Sequence, residues 1–263
     1  EDVPAITAML NAEARHMAGV DKYTENDVSS DWGWGGADAE LNSRLLFAPD
    51  GELVGYEGFW AEDAPQGQLY IWGRVHPAHT GRGLASHLLD WADQRAQAYL
   101  PLAPADVRVA LVMGMYAINQ PGCQVLLDRG YEVVRHYFRM VTAFDTPPAP
   151  PQWPAGIQLR TYQPGPDDWP AMRLVHEAFR DHWGVVDHSE EISMEAWRKM
   201  RLEAPDFDPT LYFLAMDGDQ IAGVSLCRPS VPEDKHMGYV WTLAVGRPWR
   251  KRGLGEALLR HSF

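Results

Sequence analysis

The stretch "VGRPWRKRGLGEALLRHS", Val245 to Ser262, decides how this chain is read. A strand-like apolar run ends at Val245. A loop carrying Arg247, Arg250, Lys251 and Arg252 follows, and Gly253 opens a run with the apolar spacing of a helix. The first amides of a helix have no intrahelical acceptor and sit at the positive end of its dipole, so such a turn is a ready anion site. Gly253 and Gly255 keep Cβ atoms out of a ligand's way. Cations gathered on an acidic chain suit a pyrophosphate. The pattern is neither a P-loop, which ends in Gly-Lys-Ser/Thr, nor the dinucleotide fingerprint.

The same pattern occurs earlier, as "VHPAHTGRGLASHLLDWA" from Val75. Two more pairs keep the same order. "EDVPAI" from Glu1 echoes "DDWPAM" from Asp167, and "DGELVGYEGF" from Asp50 echoes "DGDQIAGVSL" from Asp217. The offsets are 166, 167 and 170 residues. A domain-sized, slowly growing period means tandem duplication with small loop insertions. "FDTPPAPPQWPAG", Phe144 to Gly156, lies between the copies, and its prolines favour a stiff extended path. The expected division is 1–147, a linker over 148–156, and 157–263. Phe263 aligns with Asp93, so 94–144 has no counterpart in the second copy, and strand 157–161 has none before Glu1. The sequence therefore reads as two copies clipped at both ends.

Periodicity outlines each copy. In the first, Ala5–His16 is an amphipathic helix, "SRLLFAPDGELVGYEGFW" two strands around an Asp-Gly turn, and "GQLYIWGRVHP" a third strand. A helix over Gly83–Ala98, a buried strand "VRVALVMGM", a helix over Pro121–Arg129 and strand in "YEVVRHYFRMVTAF" complete it. In the second, Ile157–Thr161 is a strand, and Trp169–Phe179 and Met194–Leu202 are helices. "TLYFLAMDGDQIAGVSL" is a hairpin, "GYVWTLAV" a strand, and a helix starts at Gly253. On that last strand Tyr239, Trp241 and Leu243 share a face by alternation.

Composition limits the function. The chain has 263 residues and a formal net charge of −13, against the basic surface that general nucleic-acid binding requires. No apolar run approaches the roughly 20 residues that cross a bilayer, and "EDVPAITAML" lacks the charged and apolar regions of a signal peptide. Cys123 and Cys227 are too few for a disulfide framework and read as small buried hydrophobes. His76 and His79 lack a convincing metal spacing without nearby carboxylates, so no metal is expected. A reducing, cytoplasmic setting is the default, for a monomer or homodimer.

Arg250-Lys251-Arg252-Gly253-Leu254-Gly255 matches the R/Q-x-x-G-x-G/A motif of the GNAT acetyltransferases, and the element order resembles that family. The tandem arrangement is similar to two-domain GNAT proteins of the mycothiol synthase type. The resemblance implies an α+β fold, with mixed, mostly antiparallel sheets flanked by helices. It implies acetyl-CoA as cofactor and acyl transfer to an amine of a small molecule. The pyrophosphate would lie on the amides of Arg250 to Gly255, and the pantetheine arm along Leu243, Ala244 and Val245. Thr80-Gly81-Arg82-Gly83-Leu84-Ala85 departs from the motif at Thr80. Val75, Gly81, Arg82, Gly83, Leu84, Ala85 and Asn119 are the corresponding contacts there. The family's later helix usually carries a tyrosine as acid for the leaving thiolate. Here Leu126 holds that position, so the first copy reads as catalytically degenerate, with Tyr116 the nearest substitute.

In the second copy the catalytic acid cannot be named from the residues, and Tyr239, Glu233 and His182 are the candidates for proton transfer. "FRDHWGVVDHSEE" would form the acceptor wall, where Asp181, His182, Trp183, Asp187 and Glu190 either receive a cationic amine or form a solvated helix end. Two other readings stay open: a non-catalytic acyl-CoA-binding pseudoenzyme or regulatory module, and an aminoacyl transferase of the peptidoglycan type.

Overall fold

The computed structural model describes residues 2–32, 38–61, 67–103, 105, 107–185 and 188–263. Two compact units divide the chain, Glu1–Phe138 and Arg139–Phe263. Each is built on its own four-stranded sheet.

In the first unit, α1 (Val3–Ala18), α2 (Glu25–Trp32) and the short α3 (Ala39–Asn42) precede β1 (Ser43–Phe47). Then come β2 (Leu53–Trp60), β3 (Gln68–Val75), α4 (Leu84–Gln97), β4 (Ala110–Met113) and α5 (Gln120–Asp128). The sheet order is β1-β2-β3-β4, antiparallel except for β3 with β4, which is parallel. One face packs Ile6, Met9 and Leu10 of α1 and Val28 of α2 on Leu53 and Tyr56. The other packs Leu89 and Ala92 of α4 and Leu126 of α5 on Phe59, Leu69 and Ile71. Leu126 is thus a core residue. The parallel pairing runs from Gln68↔Ala110 to Ile71↔Met113 only. Beyond it, Trp72 to Val75 have a free outer edge among the described residues.

The second unit runs β5 (Ile157–Thr161), α6 (Asp168–Phe179), α7 (Glu190–Trp197), β6 (Tyr212–Asp217), β7 (Gln220–Arg228), β8 (Tyr239–Val245) and α8 (Leu254–Ser262). Its sheet, β5-β6-β7-β8, is antiparallel throughout. Ala171, Met172 and Val175 of α6 and Trp197 of α7 cover one face, and Leu254 and Leu258 of α8 the other. Two Arg160–Asp167 hydrogen bonds, 2.6 and 2.7 Å, join β5 to the start of α6. Burial raises the Asp167 carboxyl, but these bonds and the Gln163 amide outweigh it, so its pKa is lowered.

The duplicated elements follow in the same order: β1, β2, β3 and α4 answer to β6, β7, β8 and α8. Several expectations need correction. The strand expected from Val107 is four residues, Ala110–Met113, and half-buried because it lies at the sheet edge. The residues from Tyr131 to Phe144 form no strand. No strand of either sheet pairs with them, and without a ladder partner Val133, Tyr137, Phe138 and Met140 stay exposed. The helix expected at Met194 starts at Glu190, capped by the Ser189 side chain, and ends in a π-helical turn, Arg198–Leu202. Cys227 is buried and Cys123 half-buried, both as free thiols.

Glu57 is a polar residue inside the first core. It pairs with Gly73 across β2 and β3, and a Cβ on Gly73 would lie 2.1 Å from Glu57 Oε2. Glycine at 73 is therefore what lets the carboxyl cross the neighbouring strand. Glu57 Oε1 has no hydrogen-bond partner, nor has the buried Tyr131 hydroxyl. Desolvation pushes the Glu57 pKa up to about 8, against a smaller lowering by Arg74. A carboxyl raised in this way binds a proton when folded and loses it when unfolded, between about 4.5 and about 8. Its contribution therefore falls as pH rises through that window and is flat above it. Glu57→Gln should raise the melting temperature at pH 8.5 by several degrees more than at pH 5. Equal shifts in thermal unfolding at both pH values would contradict the buried protonated carboxyl.

Candidate functional site

The site grows from the turn between β8 and α8. A 3₁₀ turn, Arg247–Trp249, leads out of the strand. The chain then takes two left-handed steps, at Lys251 (φ 61°) and Gly253 (φ 83°), before the helix begins. The first unit repeats this with a 3₁₀ turn over Pro77–His79 and left-handed Gly81 (φ 74°) and Gly83 (φ 80°). These steps turn successive amides toward one side, the geometry that collects anions. The first backbone bond of α8 is Ala257 N–H to Gly253 C=O, at 3.0 Å. Among the described residues no acceptor meets the amides of Lys251 to Glu256. Gly253 is required by its φ. At Gly255 a Cβ would make only ordinary contacts with Val245 and Leu243, which fits Ala85 in the first copy.

The cations of the turn divide by role. Arg247 pairs with Glu177 at 3.1 Å and Asp181 at 3.4 Å. Arg250 turns inward. Its Nε donates to Val245 C=O at 3.1 Å and its Nη2 to Ala178 C=O at 2.8 Å. It therefore ties the end of β8 to the C-terminal carbonyls of α6, where a cation also suits the helix dipole. Lys251 and Arg252 are exposed and meet no carboxylate among the described residues, so they are the charges available to a phosphate. In the first unit Thr80 replaces the tie, and its hydroxyl reaches only Pro77 C=O, at 3.1 Å.

β8 is an edge strand, open along Leu243, Ala244 and Val245. Ala244 is buried on the α6 side, while Leu243 and Val245 pack on the α8 side. Alternation fails at Trp241. The register steps from Leu226↔Thr242 to Cys227↔Val240, which makes Trp241 the extra residue of a bulge. A bulge leaves one amide out of the ladder and re-aims a side chain. Trp241 accordingly does not share a face with Leu243: its ring lies 4.2 Å from the Arg201 guanidinium and 3.9 Å from that of Arg228. No periodicity rule would have found this bulge or Arg201.

Of the proton-transfer candidates, Glu233 and Tyr239 come together around Arg139, which donates to Glu233 at 3.0 Å and sits 5.4 Å from the Tyr239 ring. His182 is elsewhere, with its ring 4.6 Å from Phe179. Asp181 is engaged by Arg247, Trp183 is exposed, and Glu190 pairs with Arg173. Asp187 lies outside the described residues.

The first unit differs. Asn119 accepts the Gly122 amide as the N-cap of α5, so its side chain already has a structural use. The β1–β2 hairpin brings Glu52 to His79, at 3.0 Å, and to within 3.9 Å of His76, supplying the carboxylate that the sequence did not place there. In both rings Nδ1 accepts, from Ala78 N–H in His76 and from Arg82 Nη1 in His79, each at 3.2 Å. Glu52, His76 and His79 thereby bring one ligand-type atom each within 4.8 Å of one another. The network also orients Arg82.

These residues fit a cofactor that ends in a pyrophosphate and carries an extended amide-bearing arm: open amides, two unpaired cations and a free strand edge. The sequence pattern of the acetyltransferase (GNAT) family matches residues 6–105 and 171–263. The chain is similar to the mycothiol acetyltransferase of Thermobispora bispora, 30% identical over 82% of this chain and 68% of that one. The mycothiol acetyltransferase of Saccharopolyspora erythraea is 31% identical over 80% of this chain and 69% of its own. Among solved structures, a GCN5-related N-acetyltransferase from Sphaerobacter thermophilus superposes with a TM-score of 0.71 at 30% identity. That match covers 100% of this chain and 78% of the other.

The division of roles is testable without a ligand. Arg250→Gln removes two charge-assisted bonds to carbonyls, at about 1.5–3 kcal/mol for such bonds when lost, and should lower the melting temperature by several degrees. Arg252→Gln should leave it within about a degree, as for exposed side chains generally. Scanning calorimetry that gives both variants the same shift would contradict the assignment.

Proposed function

The chain belongs to the GNAT acetyltransferase family, and from that premise we propose that its second unit carries the transfer of acetyl from acetyl-CoA to the amine of a small molecule. It is an acetyl-CoA-dependent N-acetyltransferase. The small-molecule acceptor is supported by the relatives named mycothiol acetyltransferase. None of its described helices is long and apolar enough to cross a membrane.

The observation that carries the assignment to the second unit is the pairing of an intact turn with a bulged β8. The amides following Arg250 and the side chains of Lys251 and Arg252 would hold the pyrophosphate, and the open edge of Leu243 to Val245 the arm. Bound there, acetyl-CoA supplies an activated thioester; the net reaction forms an amide C–N bond, breaks the C–S bond and moves one proton from amine to sulfur. The amide freed by the bulge at Trp241 is placed to donate to a carbonyl, where a fixed donor stabilises developing negative charge. Glu233, held by Arg139 beside Tyr239, is the group that takes the proton from the amine.

The first unit is proposed to bind or brace rather than catalyse. Leu126, at the acid position, is buried in its core, and Arg82 is committed to His79. Its β2–β3 ladder is continuous from Gly55↔Val75 to Trp60↔Tyr70, without the bulge that frees an amide in β8.

Calorimetric titration of the complete protein with acetyl-CoA should show binding that Arg252→Glu weakens about tenfold or more, the equivalent of about 1.4 kcal/mol. Glu233→Gln should leave that binding unchanged while slowing thiol release by about 10²-fold, the low end for general base catalysis. Absence of acetyl-CoA binding would overturn the assignment of the cofactor site.

A further inference from the structure

The arginines of the second unit are almost all accounted for. Those at 139, 160, 173, 180, 198, 228, 247 and 260 each have a carboxylate within 4 Å. Arg250 caps two carbonyls. Among the described residues only Arg252 and Arg201 meet neither. Arg252 lies at the phosphate turn, where a ligand's charge completes it. Arg201 poses the same question at the other end of β8.

Arg201 is presented by the π-helical turn Arg198–Leu202, a distortion that inserts a residue into a helix and recurs at functional sites. Its guanidinium lies between two indoles, 4.7 Å from Trp197 and 4.2 Å from Trp241. Its Nη1 is enclosed and has no hydrogen-bond partner. Its polar neighbour is the Tyr212 hydroxyl, and Arg228 adds a like charge. Burial and that like charge lower its pKa. Arg228, also stacked on Trp241, reaches its one carboxylate, Asp206, only at 3.6 Å. Two guanidiniums stacked on one indole thus share a single carboxylate, in a chain of net charge −13. Arg228 and Trp241 remain half-exposed, so an anion can reach them.

We propose that the acceptor amine carries a carboxylate, and that Arg201 and Arg228 receive it against the ring of Trp241. The inference rests on the second unit being the transfer site. Trp241 is two residues along β8 from Leu243, where the arm of the donor would pair, at most about 7 Å by the rise of a regular strand and less across the bulge. A carboxylate bound at Trp241 and an amine near the open edge are therefore separated by the length of a small amino acid. The acceptor wall expected from charge, Asp181 with Trp183, is the weaker alternative, because Arg247 already occupies Asp181.

The test uses the complete protein with acetyl-CoA and records thiol release. Its probes are amino acids with the amine on the α-, β- or γ-carbon, each beside its own carboxamide. At least one acid should exceed its carboxamide by tenfold or more in kcat/KM. Arg201→Gln and Arg228→Gln should each raise KM for that acid at least tenfold, with KM for the carboxamide and the affinity for acetyl-CoA unchanged. Equal rates for every acid and its carboxamide overturn the inference while leaving the transfer site standing. Equal losses on both probes in the two variants, with lower melting temperatures, also overturn it and make the stack a structural brace. Acetyl-CoA binding without transfer to any amine overturns the transfer-site reading and this inference together.

Discussion

A strand must become a helix while pointing its amides outward, and this one constraint organises both units. Two left-handed residues, separated by one, make the turn: Gly81 and Gly83 in the first unit, Lys251 and Gly253 in the second. For a residue with a Cβ the left-handed conformation costs roughly 1–2 kcal/mol, and Lys251 bears that cost where the first copy uses glycine. A cation placed there gains a fixed position at the mouth of the anion site. The compensation comes from Arg250, which closes the turn against β8 and α6. A turn under backbone strain, held by a buried tie and surrounded by unpaired amides and charges, is arranged for a ligand rather than for stability.

The two copies share this turn and part company in the strand before it. β3 pairs with β2 without a register shift from Tyr70 to Val75 and takes a parallel partner in β4. β8 carries a bulge and, among the described residues, no partner on its outer side. Trp72 to Val75 in the first unit and Leu243 to Val245 in the second both lack an outer partner among the described residues, so the bulge, rather than the free edge, sets the two strands apart. The loops are secured differently as well. In the first unit His79 reaches Glu52 at 3.0 Å, while in the second the indole N–H of Trp249 donates to Asp217 at 2.8 Å. Both tie the turn to the preceding hairpin, so duplication has conserved the mechanical connection while exchanging its chemistry.

The duplicated hairpins, the helices at Val3, Leu84, Asp168 and Leu254, and the turn itself were legible because local patterns determine them: apolar period, Asp-Gly turns, and glycine at left-handed positions. What was illegible depends on pairing between distant residues. The bulge at Trp241 follows from how β7 and β8 count against each other, and alternation within β8 alone gives the wrong face. Glu52 reaches His79 across 27 residues only once the hairpin folds. Arg250 reads as a ligand contact beside Lys251 and Arg252, because sequence does not say which of three adjacent cations turns inward. The apolar residues after Tyr131 read as strand by composition, yet strand is a property of a pair, and no partner meets them.

Along its length, β8 places four groups of residues in sequence. Tyr239, with Arg139 and Glu233, stands at the N-terminal end; Trp241 stacks cations at the bulge; Leu243 to Val245 follow along the edge; and the left-handed turn lies beyond. A strand advances about 3.3–3.4 Å per residue, so the spacing of these groups is fixed by covalent geometry rather than by loop conformation. The bulge is the one place where that ruler is adjusted. Without it, Trp241 would point with Leu243 toward α8 and away from Arg201 and Arg228. The order of these groups then follows from the strand, and the direction of the Trp241 ring from the single extra residue within it.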